Sequence, residues 1–313
     1  MKKRFVKILL IVGILSSIVS LLGFFGQSFW LLDVLSHFRY QYFVVLILCF
    51  GGAALLGFPK ITWLLLPFIA INGYEVFSVY LPVENEPVTG QTLTIDCMNL
   101  LYTNDDYLAV SNYIKDNDPD ILILQEYTQE WEENLELDLA QFPYSKRIPR
   151  TDNFGMALFS KFEVDTIELI SIGKADIPSI LTRFKLQEMP VTLVTIHPLP
   201  PSDQFSFESR NQQYDKINEY IDKFGGAFIV VGDLNSSPYS AHFKKLVNED
   251  ELRDTRMGVG VLPSWPNYFP LMYIPLDHIL ISEELTYQDR RTGPNIGSDH
   301  MPMHIEIGVS TKK

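Results

Sequence analysis

The chain has 313 residues and a net charge of −13; six of its 25 basic and two of its 38 acidic residues fall within the first 80, which leaves a net charge of −17 on the remaining 233. Because affinity for nucleic acid comes largely from Lys and Arg on phosphates, this acidity disfavours a tight or processive nucleic-acid binder. The two cysteines, Cys49 and Cys97, form neither a disulfide framework nor a zinc-ligand spacing.

Three apolar segments predict membrane-spanning helices within residues 1–80. They cover about residues 5–25, 42–58 and 61–80. At a helical rise of about 1.5 Å per residue, the first segment reaches roughly 30 Å, which is the thickness of the hydrocarbon core of a bilayer. A cleaved signal peptide is the alternative for this first segment, because Lys2-Lys3-Arg4 resembles a basic leader, but the two later segments would still anchor the chain.

Basic residues beside the predicted helices orient them in the membrane. The cluster at residues 2–7 places the N-terminus in the cytoplasm, and Lys60 returns the chain to that side. Three crossings then place the C-terminal part in the periplasm or at the cell exterior. The loop over residues 27–41 would face outward as well, with Arg39 as its one contrary charge, and Glu75 is expected at the membrane interface.

Residues 81–91 are polar and broken by prolines, and they predict a linker to a domain over residues 92–313. Strand patterns cover residues 92–98, 121–124, 156–160, 164–172, 181–186, 191–196, 228–231, the segment after Asp277, and 303–307. Helix patterns cover residues 105–117, the stripe Trp131, Leu135 and Leu139, the stripe Tyr214, Ile217, Ile221 and Phe224, and residues 243–247. Neighbouring strands mixed with strand–helix–strand units predict a layered α/β sandwich rather than a purely parallel sheet.

Acid-bearing polar breaks adjoin four of the predicted strands. They are Gln125-Glu126, Gly232-Asp233-Leu234-Asn235, Leu276-Asp277-His278-Ile279 and Ser298-Asp299-His300. Open α/β sheets place their chemistry at such strand ends. A histidine beside several carboxylates suits metal-assisted hydrolysis of a phosphate ester, because the cation neutralises phosphate charge while the imidazole moves a proton.

In order and spacing, six motifs resemble those of the endonuclease/exonuclease/phosphatase superfamily, which includes DNase I, neutral sphingomyelinases and inositol polyphosphate 5-phosphatases. They are Asn99, Leu124-Gln125-Glu126, His197, Gly232-Asp233-Leu234-Asn235, Leu276-Asp277-His278-Ile279 and Ser298-Asp299-His300. The resemblance covers about residues 92–308, and the hydrophobic segments before it resemble those of bacterial membrane-anchored members. It implies a DNase I-like fold, which is a layered α/β sandwich of two mixed β-sheets flanked by helices. It also implies Mg²⁺-dependent hydrolysis of phosphoester bonds, with Mn²⁺ as an alternative ion.

The resemblance implies a metal site around Glu126. A carboxylate after a buried strand is costly without a partner, and a cation is its natural one. Asn99 and Asp299 would complete the site directly or through water, because Mg²⁺ prefers oxygen ligands and keeps several waters. Taken alone, Glu126 could instead be a capping or ion-paired residue, and Asn99 a hydrogen-bonding one.

The resemblance also assigns the catalytic side chains. His300 would be the general base, with Asp277 accepting a hydrogen bond from one imidazole nitrogen and so fixing the tautomer. Asp233 and Asn235 would orient the attacking water and the phosphate oxygens. His197 would stabilise charge on a phosphate oxygen, with a satisfied strand-end histidine as the alternative. The other four histidines are expected to have packing roles: His37, His242, His278 and His304.

These patterns together predict a membrane-anchored, extracytoplasmic phosphodiester hydrolase. An extracytoplasmic endonuclease or exonuclease is one alternative, which the acidic charge disfavours. An inactive, membrane-tethered binding module is another, which the intact motif set disfavours. Residues 265–273 form an aromatic, proline-rich stretch that either packs internally or, if exposed beside the site, favours a lipid or small, partly apolar phosphodiester.

Overall fold

The computed structural model describes residues 1–83, 85–249 and 251–310. The helices are α1 (Lys2–Leu22), α2 (Trp30–Ser36), α3 (Arg39–Leu55), α4 (Pro59–Thr62), α5 (Leu66–Phe77), α6 (Tyr107–Asn117), α7 (Gln129–Asn134), α8 (Glu136–Leu139), α9 (Gln204–Phe224) and α10 (Ala241–Glu249). The strands are β1 (Leu93–Asn99), β2 (Ile121–Gln125), β3 (Tyr144–Ile148), β4 (Met156–Ser160), β5 (Val164–Ser171), β6 (Pro178–Leu186), β7 (Met189–Thr195), β8 (Ala227–Asp233), β9 (Arg253–Asp254), β10 (Asp277–Ile281), β11 (Leu285–Thr292) and β12 (Met303–Val309).

The strands form two mixed sheets of six. Their orders are β11-β12-β1-β2-β4-β3 and β5-β6-β7-β8-β10-β9. Each sheet has one parallel pair near its centre, β1 with β2 and β7 with β8, and antiparallel neighbours elsewhere. The predicted sandwich of two mixed sheets is therefore confirmed.

Three apolar layers hold the sandwich together. The central layer lies between the sheets and joins residues such as Ile95 and Ile123 of the first sheet to Leu193 and Ile229 of the second. The outer face of the first sheet packs against α6, α7 and α8, and that of the second against α9 and α10. Because both faces of the central strands are covered, all five residues of β2 are buried. This agrees with the run of four apolar residues with which the strand begins.

The pattern-based prediction located most of these elements and missed three strands. β3 is an edge strand that carries Lys146 and Arg147, β9 has two residues, and β11 is an edge strand with an irregular register between Gln288 and Arg291. Edge strands need only one apolar face, so their patterns are weak. The predicted stripe at Trp131, Leu135 and Leu139 is also divided, because α7 and α8 are separated at Leu135.

The first 80 residues form an apolar helical segment. Two stretches, Lys2–Phe25 and Trp63–Tyr80, are long and apolar enough to cross a membrane, and the pair α2 and α3, bent by 61°, makes a third only if it counts as one span. Polar contacts join these helices: Arg39 donates to the carbonyl of Ser20 over 2.6 Å, and Asn72 donates to the Ser20 hydroxyl over 3.1 Å. Three crossings remain a prediction.

The helical segment is packed against the domain. Glu75 pairs with Lys244 of α10 over 2.7 Å, and the amide of Gly258 donates to the carbonyl of Val79 over 2.7 Å. Within the predicted linker, Thr286 of β11 donates to the carbonyl of Glu86. The N-terminal helical segment and the domain therefore share polar contacts on several elements.

Candidate active site

The two parallel pairs bring the predicted site residues to one edge of the sandwich. β1 and β2 end at Asn99 and Gln125, which are register partners. β8 ends at Asp233, and the antiparallel β10 begins opposite it, so Asp277 is the register partner of Asp233. The segment carrying His300 enters the same edge immediately before β12. The topology thus collects side chains that lie up to 200 residues apart.

Glu126 sits at a strained position directly after β2. Its φ is +55°, a left-handed conformation that residues other than glycine adopt rarely and at a cost of about 1–3 kcal/mol. Its carboxylate accepts from the side-chain amide of Asn99 and from the backbone amide of Tyr102, each over 3.0 Å. Burial raises the pKa of Glu126, and the nearby charge of Asp299 adds to this. The chain thus maintains a buried carboxylate without a basic contact partner among the described residues.

His300 is held between two carboxylates. Its Nδ1 donates to Oδ2 of Asp277 over 2.8 Å, and its Nε2 lies 3.6 Å from Oδ2 of Asp233. Burial opposes the charged imidazolium, but the carboxylates of Asp277 and Asp233 outweigh it and raise the pKa of His300 to about 10. The two carboxylates thus favour the charged imidazolium, and positive charge bound nearby would lower the pKa of His300 and favour its action as a general base.

Asp233 is the most connected acid of the site. Burial and the charge of Asp277 raise its pKa to about 7. Its Oδ1 accepts from the amide of Asn235 over 2.8 Å, and its Oδ2 lies 3.4 Å from the Asn99 amide nitrogen and 3.6 Å from Nε2 of His197. Burial opposes the charge of Asp277, but the imidazolium of His300 holds the pKa of Asp277 below its usual range. The two acids thus have different environments although they face the same imidazole.

His197 is a neutral, partly unsatisfied imidazole. Burial lowers its pKa to about 4. Its Nδ1 is buried and has no hydrogen-bond partner, while its ring lies 5.5 Å from that of Phe154. A buried polar atom without a partner is rare, because it forfeits its bonds to water. The other ring nitrogen, Nε2, is the one that faces the site, at 3.6 Å from Oδ2 of Asp233.

Asn235 and Asp299 each use part of their side chain for a hydrogen bond to a residue outside the predicted site. The side-chain amide of Asn235 donates to the carbonyl of Pro198 over 2.9 Å, so its contact with Asp233 comes from its backbone. Asp299 accepts from the indole of Trp265 over 2.9 Å through Oδ2, while its Oδ1 is buried without a partner. Both residues lie at the same edge as the other predicted side chains.

Three supporting residues had no predicted role. Gln125 bridges the sheets: its Oε1 accepts from the amide of Asp233 and its Nε2 donates to the carbonyl of Ile196, each over 2.8 Å. Ser264 accepts from the amide of Asp277 over 3.1 Å, and Ser298 donates to the carbonyl of Asn99 over 2.7 Å. Gln125 and Ser298 lie within the quoted motifs, which was the available signal, whereas Ser264 lies outside them, directly before the aromatic stretch over residues 265–273.

Gly232 makes the Gln125 bridge sterically feasible. Its φ is +145°, and a Cβ there would lie 2.1 Å from the carbonyl oxygen of Ile196 and 2.5 Å from Nε2 of Gln125. No side chain fits at that distance. The glycine of the motif Gly232-Asp233 is therefore required by close strand packing immediately before the buried carboxylate of Asp233.

The donor set fits a divalent cation. Asn99 and Glu126 offer amide and carboxylate oxygens, and Asp299 has a buried oxygen without a partner. A second acidic group lies beside them: ligand atoms of Asp233, Asp277 and His300 lie within 4.8 Å of one another. We favour the first set for the metal, because it offers only oxygen atoms, which Mg²⁺ prefers, whereas the second set includes the imidazole of His300, whose Nδ1 already bonds to Asp277.

Comparisons with known proteins agree with this geometry. The sequence matches the family model described as "Endonuclease/Exonuclease/phosphatase family" over residues 97–300. No curated protein matches the chain. A D. rerio TDP2 structure complexed with single strand DNA product has 15% identity and a TM-score of 0.60, covering 70% of this chain and 100% of that one.

Two further structures are similar. An endonuclease/exonuclease/phosphatase from Bacteroides vulgatus has 16% identity and a TM-score of 0.59, covering 71% of this chain and 100% of that one. The human Nocturnin catalytic domain with bound sulfate anion has 15% identity and a TM-score of 0.57, covering 70% of this chain and 94% of that one. Identities this low show a shared fold. Because the family model spans well over half of the sequence, the chain belongs to the endonuclease/exonuclease/phosphatase family.

Proposed function

We propose that this protein is a membrane-anchored, extracytoplasmic, Mg²⁺-dependent phosphodiesterase that acts on a lipid or other small, partly apolar phosphodiester. Its family comprises phosphodiesterases, nucleases and phosphatases, which typically depend on divalent metal ions. The observation that carries the proposal is the pairing of His300 with Asp277 over 2.8 Å beside the buried carboxylate of Glu126. An imidazole fixed at one nitrogen and a metal-binding acid are the parts that phosphoester hydrolysis needs.

Each site residue has a separate role in the proposed reaction. Asp277 orients the imidazole of His300, whose Nε2 faces the space beside Asp233 and moves a proton to or from the attacking water. Neutral His197 offers an N–H to a phosphate oxygen as charge develops there. Glu126 and Asn99, with Asp299, would hold the cation. When bound, Mg²⁺ supplies charge neutralisation to the phosphate.

The aromatic stretch supports a lipid-like substrate. Tyr268 and Leu271 are 74% and 73% exposed, so this stretch does not simply pack internally. It adjoins the site, since the amide of Asn267 donates to the carbonyl of Asp299 over 2.7 Å. It also adjoins the predicted membrane segment, since Gln41 donates to the carbonyls of Leu271 and Tyr273 over 3.3 and 3.1 Å. An exposed apolar loop between a membrane helix and a hydrolytic site favours a substrate drawn from the bilayer.

The contacts of α2 support the orientation. Asp33 and His37, in the loop predicted to face outward, contact Arg210 and Ser237 of the domain over 2.8 Å each. That loop and the domain must therefore lie on the same side of the membrane. With the N-terminus in the cytoplasm, as its basic cluster indicates, this side is extracytoplasmic.

A nuclease is the second candidate. The TDP2 structure complexed with single strand DNA product shares the fold, and this supports nucleic acid as a substrate. The charge of −17 on residues 81–313 opposes it, because polyanion binding would then be weak and steeply salt-dependent.

The test uses the full chain in detergent or in lipid nanodiscs. Bis-p-nitrophenyl phosphate, vesicles of defined phospholipids and plasmid DNA are compared with Mg²⁺, with Mn²⁺ and with chelator. We expect metal-dependent hydrolysis of a small or lipid phosphodiester to be faster than plasmid nicking. Efficient nicking at physiological salt without lipid or small-ester turnover would instead establish the nuclease. Failure to hydrolyse any of these classes would favour the binding module.

A further inference from the structure

A buried ion pair joins the membrane segment to the domain. Arg210 of α9 donates to Oδ2 of Asp33 in α2 over 2.8 Å, and both side chains are fully buried. The ring of Phe207 lies 5.4 Å from the guanidinium carbon. Taking two charges out of water is expensive, and it is compensated only by accurate mutual placement and further hydrogen bonds. If α2 were separated from α9, each of these buried charges would lose its partner.

The same pair reaches the segment that carries the catalytic acid. We call residues 233–240, between β8 and α10, the catalytic loop. Arg210 donates from its other terminal nitrogen to the carbonyl of Asn235 over 3.1 Å. Asp33 accepts from the hydroxyl of Ser240 over 2.6 Å through Oδ1. The two ends of the catalytic loop are thus tied to one buried ion pair.

His37, which directly follows α2, supplies a third contact to the catalytic loop. Its Nδ1 accepts from the hydroxyl of Ser237 over 2.8 Å and from the Ser237 amide over 3.2 Å. Burial lowers the pKa of His37 to about 4, so it is a neutral acceptor. On the opposite side, the domain holds the loop through His278, whose Nε2 donates to the carbonyl of Ser236 over 2.7 Å. The loop is therefore held from the membrane side as well as from the domain side.

Contact by contact, the network leads from α2 to the reacting groups. Asp33 pairs with Arg210, and Arg210 holds the carbonyl of Asn235. The amide of Asn235 donates to Asp233 over 2.8 Å, and Asp233 faces Nε2 of His300 at 3.6 Å. Asn235 has a φ of +50°, a conformation that the surrounding contacts must enforce. A shift of this backbone moves the carboxylate that faces the imidazole.

We propose that Asp33 and Arg210 are positioning residues for hydrolysis, so that the docked membrane segment completes the active site as well as anchoring it. The inference rests on the proposed phosphodiesterase function. Small displacements of catalytic groups carry large rate penalties. The pair acts on the placement of Asp233 and has no contact with Glu126 or Asn99, so it should influence turnover more than substrate or metal affinity.

A matched pair of variants of the full chain tests this in nanodiscs. Asp33→Asn and Glu75→Gln each remove one carboxylate charge by which the membrane segment pairs with the domain. They differ in that Glu75 contacts Lys244 of α10 and not the catalytic loop. We expect Asp33→Asn to lower kcat at least about ten-fold, with KM and the Mg²⁺ concentration for half-maximal activity within about two-fold. Glu75→Gln should keep kcat within about two-fold of the parent.

A double variant separates positioning from stability. Asp33→Leu/Arg210→Met replaces the pair by apolar groups of similar size and leaves no unmatched charge, so we expect the thermal midpoint to recover relative to Asp33→Asn. The carbonyl of Asn235 still lacks its donor, so kcat should remain low. Recovery of kcat together with the thermal midpoint would show a merely structural pair and would overturn the inference.

Hydrogen exchange gives a readout that needs no activity. Backbone amides of residues 234–237, 239 and 240 should exchange at least about ten-fold faster in the double variant than in Glu75→Gln. If the parent hydrolyses no phosphoester while this difference is present, the proposed function fails and the contact between α2 and the catalytic loop stands. Equal exchange in the two variants would overturn the inference whatever the activity.

Discussion

Glu126 shows how strongly one position can depend on its surroundings. Its backbone is left-handed, its carboxylate is buried, and its hydrogen bonds come from Asn99 and the amide of Tyr102. The left-handed backbone and the burial of the charge each cost free energy, which the two hydrogen bonds offset only in part, because the pKa of Glu126 is still raised. Such local costs concentrate at functional sites, where the surrounding fold supports them.

Glu126→Gln should abolish Mg²⁺-dependent hydrolysis without unfolding the protein. The substitution keeps the shape and removes the charge, so we expect activity to fall at least about 10²-fold while the thermal midpoint changes by no more than a few degrees. Mg²⁺ titration of both proteins provides the measurement, with the exposed Glu130→Gln as control. Normal turnover of Glu126→Gln at the parent's Mg²⁺ concentrations would rule out the metal assignment.

His300 and Asp277 should act as a unit, because one orients the other over 2.8 Å. We expect His300→Ala to lower kcat by about 10²–10⁴-fold, and the double variant with Asp277→Ala to be little worse. Steady-state kinetics of the two single variants and the double variant supply the comparison. Fully additive losses would mean that the two side chains have separate roles.

His278 should make the fold sensitive to acid. Burial and the charge of Arg256 lower its pKa to about 3, against about 6.5 in an unfolded chain. Below pH 6.5, His278 binds a proton in the unfolded chain but stays neutral in the folded chain. The stability that neutral His278 contributes to the fold is therefore complete above pH 6.5. It is lost as the pH falls from 6.5 towards 3, and the free energy of unfolding decreases by up to about 1.4 kcal/mol per pH unit. His278→Asn should flatten the dependence of the thermal midpoint on pH. An unchanged slope would contradict this.

At the scale of elements, the active edge is made by strand ends and two loops. The catalytic loop follows β8, and the aromatic stretch precedes β10; both contact the N-terminal helices, through Asp33 and Gln41 respectively. The site therefore lies on the side of the domain that faces the predicted membrane segment. This placement explains how a hydrolytic site can be combined with an exposed apolar loop.

Loss of apolar surface on the aromatic stretch should affect lipid substrates selectively. Tyr268→Ser/Leu271→Ser should lower turnover of phosphodiester lipid in vesicles at least about five-fold, because binding to the bilayer scales with buried apolar area. Turnover of bis-p-nitrophenyl phosphate should stay within about two-fold. The control is Leu137→Ser on α8, which is also highly exposed. Equal losses on both substrates would assign the loop to the fold instead.

At the scale of the whole molecule, buried polar contacts join α2 to the domain, so the outward orientation predicted for the loop over residues 27–41 is also the orientation we predict for the domain. A reporter that is active only outside the cytoplasm, fused after Lys313, should therefore be active. The basic cluster at residues 2–7 and Lys60 provide the physical reason. Activity of a cytoplasm-only reporter at that position would show that one of the three apolar segments does not cross.

Periodicity and local motifs in the sequence alone were enough to determine the two-sheet sandwich, most strand positions and the identity of the six motif segments. These properties depend on neighbouring residues: strand alternation, helix stripes and polar breaks beside buried runs. The missed strands β3, β9 and β11 are short or lie near a sheet edge, where one face is solvated and local patterns are weak.

Contacts between distant residues were decided only by the tertiary structure. Gln125 bridging two sheets, Asn235 acting through its backbone, and Asp33 pairing with Arg210 over 177 positions leave no periodic trace in the chain. Asp33 in particular stands alone in an apolar segment, where sequence patterns indicate a polar loop residue. Its partner is set by how α2 docks on α9, and docking depends on the summed shape and charge of surfaces that come together only after folding.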